Sequence, residues 1–471
     1  MNDVASDKER YRAQFAVFED ALGPAQRSSF VHALRSTAFA RFGALGFPTA
    51  RLEDWRTTPV TAIARTPFEL APAAVAEAGA EAGAAAASRV AAVAAARVGA
   101  APAIELVFVN GALVPALSKL DDLPPGLRVR SLARASSETP ALVEPHVAQV
   151  AVFESEAFVA LNTAFLGDGA FVEVAAGAAI ETPVHLLFLA LGGPAPVVCH
   201  ARCLVVLGEA AQLTLVETYA APGDGVTLTT AVSEAVLGQG AVLERTKVQR
   251  ESAAGFHVAS FAARAGRQAQ VTTRAVLLGG PIVRDDILAR LADDGAACAL
   301  DGLFVATDGQ LVDSHTNVIH ERPHTTSLEF YKGILDGTGR GVFNGRIAIE
   351  PEAPQANAAQ TNKNLILSGE AQIFTKPHLV IRNNDVKCSH GATVGQLDEA
   401  AVFYLRSRGI GLADARLLLT RAFAGEMLDR IRVPALRAGL EALISGRLAS
   451  PAVSVAAAPK GSGDQATGVR A

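Results

Sequence analysis

Four similar stretches decide the fold of this 471-residue chain: GEAAQLTLVE (208–217), GQGAVLERTK (238–247), GRQAQVTTRA (266–275) and DGAACALDGL (294–303). They begin 30, 28 and 28 residues apart, and alanine takes the fourth position each time, at Ala211, Ala241, Ala269 and Ala297. A fixed period of strands and turns predicts coils that stack, each burying its face on the next. This favours a β-helix (β-solenoid) over a sandwich, which has no reason to repeat. No helical pattern of about 10–15 residues separates the strands, which argues against βαβ units.

Helical patterns lie on both sides of the repeats. Apolar residues recur at three- and four-residue spacings near the N-terminus, where Ser28 and Ser29 could cap the second helix. Near the C-terminus, three amphipathic helices are predicted, the first ending at Gly409 and the second at Pro434. We therefore predict a mainly β protein with added α-structure, in five parts: an N-terminal helical domain (1–70), an alanine-rich linker or variable segment (71–103), a β-helix core (104–392), a C-terminal helical domain (393–448) and a disordered tail (449–471).

Composition excludes several classes of protein. The net charge of -5 offers no basic field for a nucleic acid backbone. Four cysteines in a chain of this length do not make a disulfide framework and favour a reducing compartment. The N-terminal stretch MNDVASDKERYRAQF lacks the apolar core of a secretory signal, and no apolar run reaches the length of a membrane span. We expect a cytoplasmic protein that binds neither nucleic acid nor a membrane.

Three of the cysteines have a structural interpretation. Cys199 and Cys203 lie in a strand-like run, where residues four apart point the same way but are about 13 Å apart. One metal ion with sulfur bonds of about 2.3 Å cannot bind both. They are therefore predicted to be small core residues, as is Cys298.

The fourth cysteine has a histidine beside it, in NNDVKCSHG (383–391). On a strand, Cys388 and His390 face one side at about 6.6 Å, and Asp385, Lys387 and Ser389 face the other. A thiolate and an imidazole suit iron, zinc or copper, but two ligands are too few for a stable site. A metal there would be transient or completed by another chain, and the residues alone favour a structural interpretation of this pair.

Other candidate residues have weaker support. His315, His320 and His324 are predicted to be turn and surface residues. The pairs Asp285–Asp286 and Asp293–Asp294 are predicted to flank turns, which leaves a carbohydrate-active β-helix enzyme as the least favoured function. The sequence carries no phosphate-binding loop, dinucleotide fingerprint, nucleophile elbow or zinc-protease motif.

Long stretches nevertheless resemble the SufB/SufD family of iron–sulfur cluster assembly proteins, and its SufD branch in particular. The similar stretches are FPTARLEDWRTTP (47–59), YKGILDGTGRGVFNGRI (331–347), QTNKNLILSGEAQIFTKPHLVI (360–381) and DVKCSHGATVGQLDEAAVFYLRSRGI (385–410). The last is the most specific, and the likeness extends over most of the chain outside the alanine tract and the tail.

The resemblance implies a right-handed parallel β-helix between two helical domains, and a scaffold subunit that is not an enzyme. It implies a heterodimer with a SufB-like subunit through the β-helix, and C-terminal helices that dock a SufC ATPase, so that ATP hydrolysis would belong to the partner and this chain would have no ATP site. Cys388 and His390 would lie at the SufB–SufD interface and hold a transient iron–sulfur cluster shared with SufB. The expected ATPase-docking region is Phe403, Tyr404, Arg406, Arg408 and Gly409.

Two further expectations come from the family. Reduced flavin is associated with the assembled complex, although no flavin site is evident in this sequence, and a homodimer could form in the absence of SufB. The alternative from a different class is a purely structural β-helix adaptor, in which Cys388 has no ligand role.

Overall fold

The computed structural model describes residues 3–22, 29–71 and 84–449. The strands are numbered in chain order: β1 Glu69–Leu70, β2 Ile104–Val109, β3 Ala112–Leu113, β4 Leu127–Ser131, β5 Ala170–Val174, β6 Ala179–Leu189, β7 Val197–Leu207, β8 Gln212–Ala221, β9 Thr227–Leu237, β10 Val242–Glu251, β11 Gly255–Ala265, β12 Gln270–Leu277, β13 Ile282–Leu291, β14 Ala297–Ala306, β15 Leu311–His320, β16 Thr326–Leu335, β17 Arg340–Ile349, β18 Ala356–Ile366, β19 Gln372–Ile381 and β20 Val386–Gly395.

The helices lie mainly at the two ends of the described chain. They are α1 Asp3–Ala21, α2 Phe30–Leu45, α3 Thr61–Arg65, α4 Ala84–Ala96, α5 Leu132–Glu138, α6 Pro140–Val143, α7 Ala157–Ala164, α8 Glu399–Ser407, α9 Leu412–Leu428 and α10 Pro434–Ala449. Among the described residues, none of them combines the length and apolar character that a membrane crossing requires.

Successive strands from β5 onward enter two sheets alternately. One sheet (the odd sheet) has the order β19-β17-β15-β13-β11-β9-β7-β5-β4, and the other (the even sheet) has the order β20-β18-β16-β14-β12-β10-β8-β6-β2-β3. Neighbours from β5 onward are parallel, so each pair of strands makes one turn of a coil of about eight turns. Among the described strands, antiparallel pairing occurs between β2 and β3 and between β4 and β5, and an isolated antiparallel bridge joins Glu105 to Lys119, all toward the N-terminal end. The predicted parallel β-helix core between helical segments is confirmed.

The repeated sequence forms the corner that connects the odd sheet to the even sheet. In the first three repeats the alanine N–H donates to the main-chain oxygen three residues earlier, as from Ala241 to Gly238 at 3.2 Å. The residue before that alanine has positive φ, and its N–H bonds to the next coil; Gly240 (φ 64) donates to Arg267 at 2.8 Å. The small alanine therefore lies buried where successive coils come closest.

The residues that occupy the same position in successive coils form a column. The sequence assigned Ala297 to the column of buried alanines, and this was wrong. Gln270 pairs with Ala297, so the residue that continues the column Ala211, Ala241 and Ala269 is Ala296, which is fully buried, whereas Ala297 is only half-buried. The fourth repeat thus starts one residue earlier, at Asp293, whose main-chain oxygen accepts from the Ala296 N–H.

Helices cover the outer faces of both sheets. α1, α2 and α7 pack with residues such as Phe42 and Phe165 against Val232 and Ala262 of the odd sheet, and Trp55 packs close by. α9 and α10 pack on the outer face of the even sheet, and the largest apolar core lies between the sheets. Two short helices and α7 (residues 132–164) lie inside the region predicted to be β-structure only, because they cover the odd sheet where the coil begins.

The helix ends partly match the sequence predictions. Gly409 (φ 87) follows α8 and donates its N–H to the Arg406 oxygen, while Ile410 donates to the Leu405 oxygen, which is a Schellman cap. Pro434 does not end the second C-terminal helix. α9 already stops at Leu428, and Pro434 begins α10, since its missing N–H costs nothing in the first turn.

Some predictions fall on residues that are not described. α2 starts directly after Ser29, whereas Ser28, residues 72–83 of the alanine-rich segment and residues 450–471 of the expected tail lie outside the described residues. The described part of the alanine-rich segment forms α4, which packs against the even sheet. The limits of the five domains remain predictions.

Candidate functional site

The coil finishes with two free strand edges, which we call the open end. β19 pairs with β17 and β20 pairs with β18, and no described strand pairs with their other sides. Gln372 donates its N–H to the Gly339 oxygen of the neighbouring turn, so odd-numbered residues of β19 direct their main-chain groups outward. Pro377 occupies one of these outward positions, where its lack of an N–H breaks no sheet hydrogen bond.

Cys388 and His390 lie on β20, at this open end. Cys388 is half-buried against the apolar interior, His390 is exposed, and Lys387 and Ser389 on the opposite face are exposed as well. Partial burial raises the pKa of the Cys388 thiol above its usual value. The thiol is therefore protonated at neutral pH in the isolated chain, and a bound cation would have to stabilise the thiolate.

Each of the two residues ends an inward-facing column of the even sheet. Strand register defines the column of Cys388 as Leu213, Leu243, Val271, Cys298, Ser327, Ala358 and Cys388. The column of His390 is Leu215, Arg245, Thr273, Leu300, Glu329, Gln360 and His390. The first column is mainly apolar, whereas the second contains Arg245 and Thr273 and is polar in all of its last three residues.

The polar residues below His390 form a connected group. The Glu329 carboxylate accepts a hydrogen bond from the Thr316 hydroxyl at 2.7 Å and another from Gln360 Nε2 at 2.9 Å. Glu329 is buried, and burial raises its pKa to about 7 because neither bonding partner is a cation. Asn362, two residues after Gln360, accepts from Thr375 across the interior at 2.9 Å.

Sequence reasoning missed Glu329 and Gln360. A signal was present in ANAAQTNKNLI (356–366), where the positions that share the parity of Ala356 and Ala358 are occupied by Gln360, Asn362 and Asn364. Amides repeated on the inward face of a strand indicate a polar interior. The link from Gln360 to Glu329 depends on coil length, and no pattern within one strand reveals it.

The expected ATPase-docking region forms α8 and its C-terminal cap. Phe403 is 73% exposed and Tyr404 is 57% exposed, while Val402 alone on this helix is buried. The guanidinium carbon of Arg408 lies 5.3 Å from the centre of the Tyr404 ring, and Arg406 is exposed in the last turn.

For the remaining cysteines and histidines, the predicted location was correct for some residues and wrong for others. Cys199, Cys203 and Cys298 are buried, as predicted. His324 lies on an exposed turn at φ 55, also as predicted. His320 is instead fully buried in β15 and contacts Thr325 and Ser327, and His315 is half-buried on the same strand, 2.9 Å from Asp313. Both were wrongly assigned to turns or the surface because their strand is rich in polar residues.

The acidic pairs are already engaged within the chain. Asp285 and Asp286 lie in the middle of β13, contrary to the prediction that they flank a turn; Asp285 pairs with Lys247 at 2.6 Å and Asp286 pairs with Arg284 at 2.9 Å. Asp294 does lie at a corner, where it accepts from His324 at 2.7 Å.

A cavity of about 700 Å³ lies between the N-terminal segment and the outer face of the odd sheet. Several of its charged side chains are paired locally: Lys376 with Glu53 at 2.5 Å, and Arg284 with Asp286 and with Asp313 at 2.8 Å. The lining also includes Glu156 and Arg346, which belong to none of these pairs, and we assign no ligand to the cavity. Among the described residues no group of three cysteine, histidine or acidic side chains could hold a metal ion.

Comparison with known proteins gives consistent matches along the chain. The family model "SUF system FeS cluster assembly, SufBD core domain" matches residues 190–423, and "SufBD protein N-terminal region" matches residues 5–186. An iron–sulfur cluster assembly SufBD family protein of Synechocystis is 32% identical over 440 residues, which cover 92% of this chain and 94% of that protein. The iron–sulfur cluster assembly protein SufD of Escherichia coli is 27% identical over 86% of this chain and 90% of its own length. That of Bacillus subtilis is 25% identical over 69% and 74%.

Proposed function

The chain belongs to the SufB/SufD family of iron–sulfur cluster assembly proteins, and from this membership we propose that it is a scaffold subunit of a SufBCD-type complex. It pairs with a SufB-like subunit through the open end of the coil. A nascent cluster forms at that interface, with Cys388 and His390 as this chain's ligands. In this role the chain binds and positions iron and sulfide and breaks no bond alone.

The observation that carries the proposal is the position of Cys388 and His390 on a strand with a free edge. β19 and β20 are largely exposed along their length, and Phe374 and Val394 are 49% and 50% exposed. Exposed strands with unpaired main-chain groups are well suited to pairing with another chain. A partner strand added there would bring its own side chains beside the thiol and the imidazole and so supply the missing ligands.

The ligand chemistry fits cluster assembly. The exposed imidazole of His390 is accessible to incoming iron, while Cys388 is partly shielded. Because burial raises the pKa of the Cys388 thiol, the protein alone does not generate the thiolate. The positive charge of iron favours loss of this proton, so ligation and deprotonation are coupled.

We assign docking of a SufC-type ATPase to the C-terminal helices, with the exposed face of Phe403 and Tyr404 as its centre. Exposed aromatic side chains beside an arginine are typical of the core of a protein interface. α9 and α10 are fixed to the even sheet, so a movement imposed on them would reach the coil directly. The Gly409 cap sets the direction in which the chain leaves α8.

Substitution at the open end tests the ligand role. Cys388→Ser and His390→Ala chains would be purified with their native partners from the source cell, and iron and sulfide would be measured per complex. We expect intact complexes with strongly reduced cluster content. The matched controls are Cys298→Ala, a buried cysteine of the same column, and His324→Ala, an exposed histidine on the turn that leads into β16. If a chain that carries both substitutions forms an intact complex with full cluster content, the ligand role is wrong and the chain is a structural adaptor.

A second test addresses the ATPase-docking face. Phe403→Ser and Tyr404→Ser should abolish recovery of the ATPase with this chain while recovery of the SufB-like subunit is unchanged. Leu328→Ser, which changes an apolar residue that is 53% exposed on β16, is the control. Equal loss of both partners would contradict the assignment of separate surfaces.

The other expectations remain predictions. They are association of reduced flavin with the complex, a homodimer without the SufB-like subunit, and a cytoplasmic location. The carbohydrate-active alternative stays the least favoured, because three of the four carboxylates on which it depended form ion pairs within the chain, those of Asp285, Asp286 and Asp294.

A further inference from the structure

Resting on the proposed function, we propose that Gln360, held by Glu329, is a positioning residue for His390. Its carbonyl oxygen accepts the N–H of the inward imidazole nitrogen, which leaves the other nitrogen unprotonated and directed outward. The ligating form of His390 is thereby selected before iron arrives. The three residues occupy successive positions of one inward column, Glu329, Gln360 and His390.

The hydrogen bonding of Gln360 has one vacancy. Its Nε2 donates to Glu329 at 2.9 Å, and its Oε1 is buried with no hydrogen-bond partner. Gln360 is only 2% exposed, so an unsatisfied oxygen there is costly. His390 is the next residue of the column toward the open end, in register with Gln360 and on the same face of the sheet. Since neighbouring strands lie about 4.8 Å apart, we assign the vacancy to the imidazole of His390.

The opposite sheet is shaped to hold the Gln360 amide. A Cβ at Gly345 would lie 2.1 Å from Gln360 Nε2 and 2.7 Å from its amide carbon. Any side chain at position 345 would therefore expel the amide from its position. Thr316, which precedes Gly345 in its column of the odd sheet, also donates to Glu329, so the carboxylate is held from both sheets.

The order of donors fixes the chemistry at His390. Thr316 and Gln360 both donate to Glu329 Oε2, which stays an acceptor even when the carboxyl group carries its proton on Oε1. Oε2 therefore selects the amide orientation with the NH₂ group toward Glu329 and the carbonyl away from it. A carbonyl also only accepts, so the imidazole nitrogen that faces it must carry the proton. The second nitrogen of a neutral imidazole then has a free lone pair, and this is the arrangement that metal-binding histidines generally have.

The test measures the tautomer of His390 in the full-length chain. Protein labelled with ¹⁵N in its histidines gives the ring-nitrogen shifts by long-range proton–nitrogen NMR, and His390→Asn identifies the signal. We expect one dominant tautomer in the unsubstituted chain. Gln360→Leu should change the tautomer ratio by about 2- to 10-fold, the effect of one net hydrogen bond. Gln360→Met provides a second variant of different shape should the leucine variant fail to fold.

Substitution of Glu329 separates positioning from packing. Glu329→Gln still offers a carbonyl to Thr316 and Gln360 and should retain the original ratio, whereas Glu329→Leu should lose it. Asn362→Leu is the matched control, because it removes a buried amide from the same face of the same strand without contact to Glu329. An unchanged ratio in Gln360→Leu and Gln360→Met would overturn the inference.

A measurement on the loaded complex separates this inference from the proposed function. In a complex reconstituted with a ¹⁵N-histidine-labelled chain, pulsed electron paramagnetic resonance of the reduced cluster detects a bound histidine nitrogen. We expect this coupling in the unsubstituted and Glu329→Gln complexes and a reduced coupling in Gln360→Leu. If His390→Ala leaves the spectrum unchanged, the ligand role fails. If the His390→Ala substitution removes the coupling but the Gln360 variants retain it in full, the ligand role stands and only the positioning role fails.

Discussion

The ammonium group of Lys332 on β16 pairs with the carboxylate of Glu426 on α9 and joins the even sheet to the C-terminal helices. The Lys332 side chain is 1% exposed and also donates to the main-chain oxygen of Phe423 at 2.8 Å. The nearby pair between Arg430, in the turn after α9, and Asp301 on β14, at 2.9 Å, also joins the C-terminal helical unit to the even sheet. A buried cation thus attaches the C-terminal helices to the coil. Such an attachment is required if a movement of the helices is to be transmitted to the coil.

Glu426→Gln is expected to lower the free energy of unfolding by about 1 kcal/mol, since Glu426 is half exposed and water screens the pair. The protease sensitivity of α9 and α10 should rise in parallel. Urea unfolding and limited proteolysis measure the two effects. Glu441→Gln, which removes an exposed pair with Arg437 within α10, is the control and should have almost no effect. Equal changes in both variants would contradict the role of Lys332 as a link.

Asp313 ties the N-terminal segment to the odd sheet. Its carboxylate accepts from Thr58 and from Arg284, whose guanidinium carbon lies 3.8 Å from the centre of the Trp55 ring. Asp313→Asn leaves a buried arginine with one fewer partner and should destabilise the fold by about 3 kcal/mol. Trp55 is the only tryptophan in the chain, so its emission should shift to longer wavelength and become more accessible to acrylamide.

The control for that experiment is Asp294→Asn, because Asp294 makes its ion pairs at the surface. It should leave the fluorescence unchanged. Unchanged emission in Asp313→Asn would show that the Trp55 environment does not depend on this anchor.

Gly302 makes room for a ring inside the coil. A Cβ at this position would lie 2.2 Å from the Tyr331 ring on the neighbouring strand. Gly302→Ala should cost about 1–3 kcal/mol through overpacking, and much less when combined with Tyr331→Leu. Urea unfolding of the single and double variants measures this coupling, and Gly369→Ala, where a Cβ would meet nothing, is the control. Additive effects would contradict the steric explanation.

Glu329 makes the stability of the coil depend on pH. Burial raises its pKa in the folded chain from the usual 4.5 to about 7. The folded state therefore holds a proton that the unfolded state has lost, and the associated stability is present below pH 4.5 and disappears as the pH rises to about 7. The Glu329→Gln chain has no carboxyl group to titrate at this position. Its free energy of unfolding, relative to that of the unsubstituted chain, should therefore increase by up to about 3 kcal/mol between pH 5 and pH 8.

Urea midpoints of both chains across that pH range measure the effect. Parallel pH profiles for the two chains would contradict the shifted carboxyl group. If the stability advantage of Glu329→Gln instead grows toward acid pH, the pKa of Glu329 is not raised by folding.

The coil was predictable because its signals are local. Glycine, positive φ and a buried alanine recur within each corner, so the period shows in the sequence alone. The error at Ala297 arose because DDGAAC contains adjacent acids and adjacent alanines, and only pairing with Gln270 selects Ala296. Similarly, the two-residue spacing of Cys388 and His390 reveals a shared face.

What could not be predicted depends on distances between coils. Glu329, Gln360 and His390 are about 30 residues apart in sequence, and their alignment follows from the exact lengths of three strands and their turns. His320 is polar in sequence and buried in the structure, since Thr325, just before the next strand, and Ser327 on that strand supply its hydrogen bonds. Partners of this kind lie beyond any pattern within one strand.

The free edges of β19 and β20 have a thermodynamic consequence. In a linear array each unit is stabilised by its neighbours, so the last turn, with one neighbour, opens more readily than the turns behind it. A subunit that binds only the closed form shifts this local equilibrium in proportion to its free concentration. If the proposed SufB-like subunit binds there, its abundance would set how often Cys388 and His390 are held in place, and the supply of one polypeptide would control metal chemistry in another.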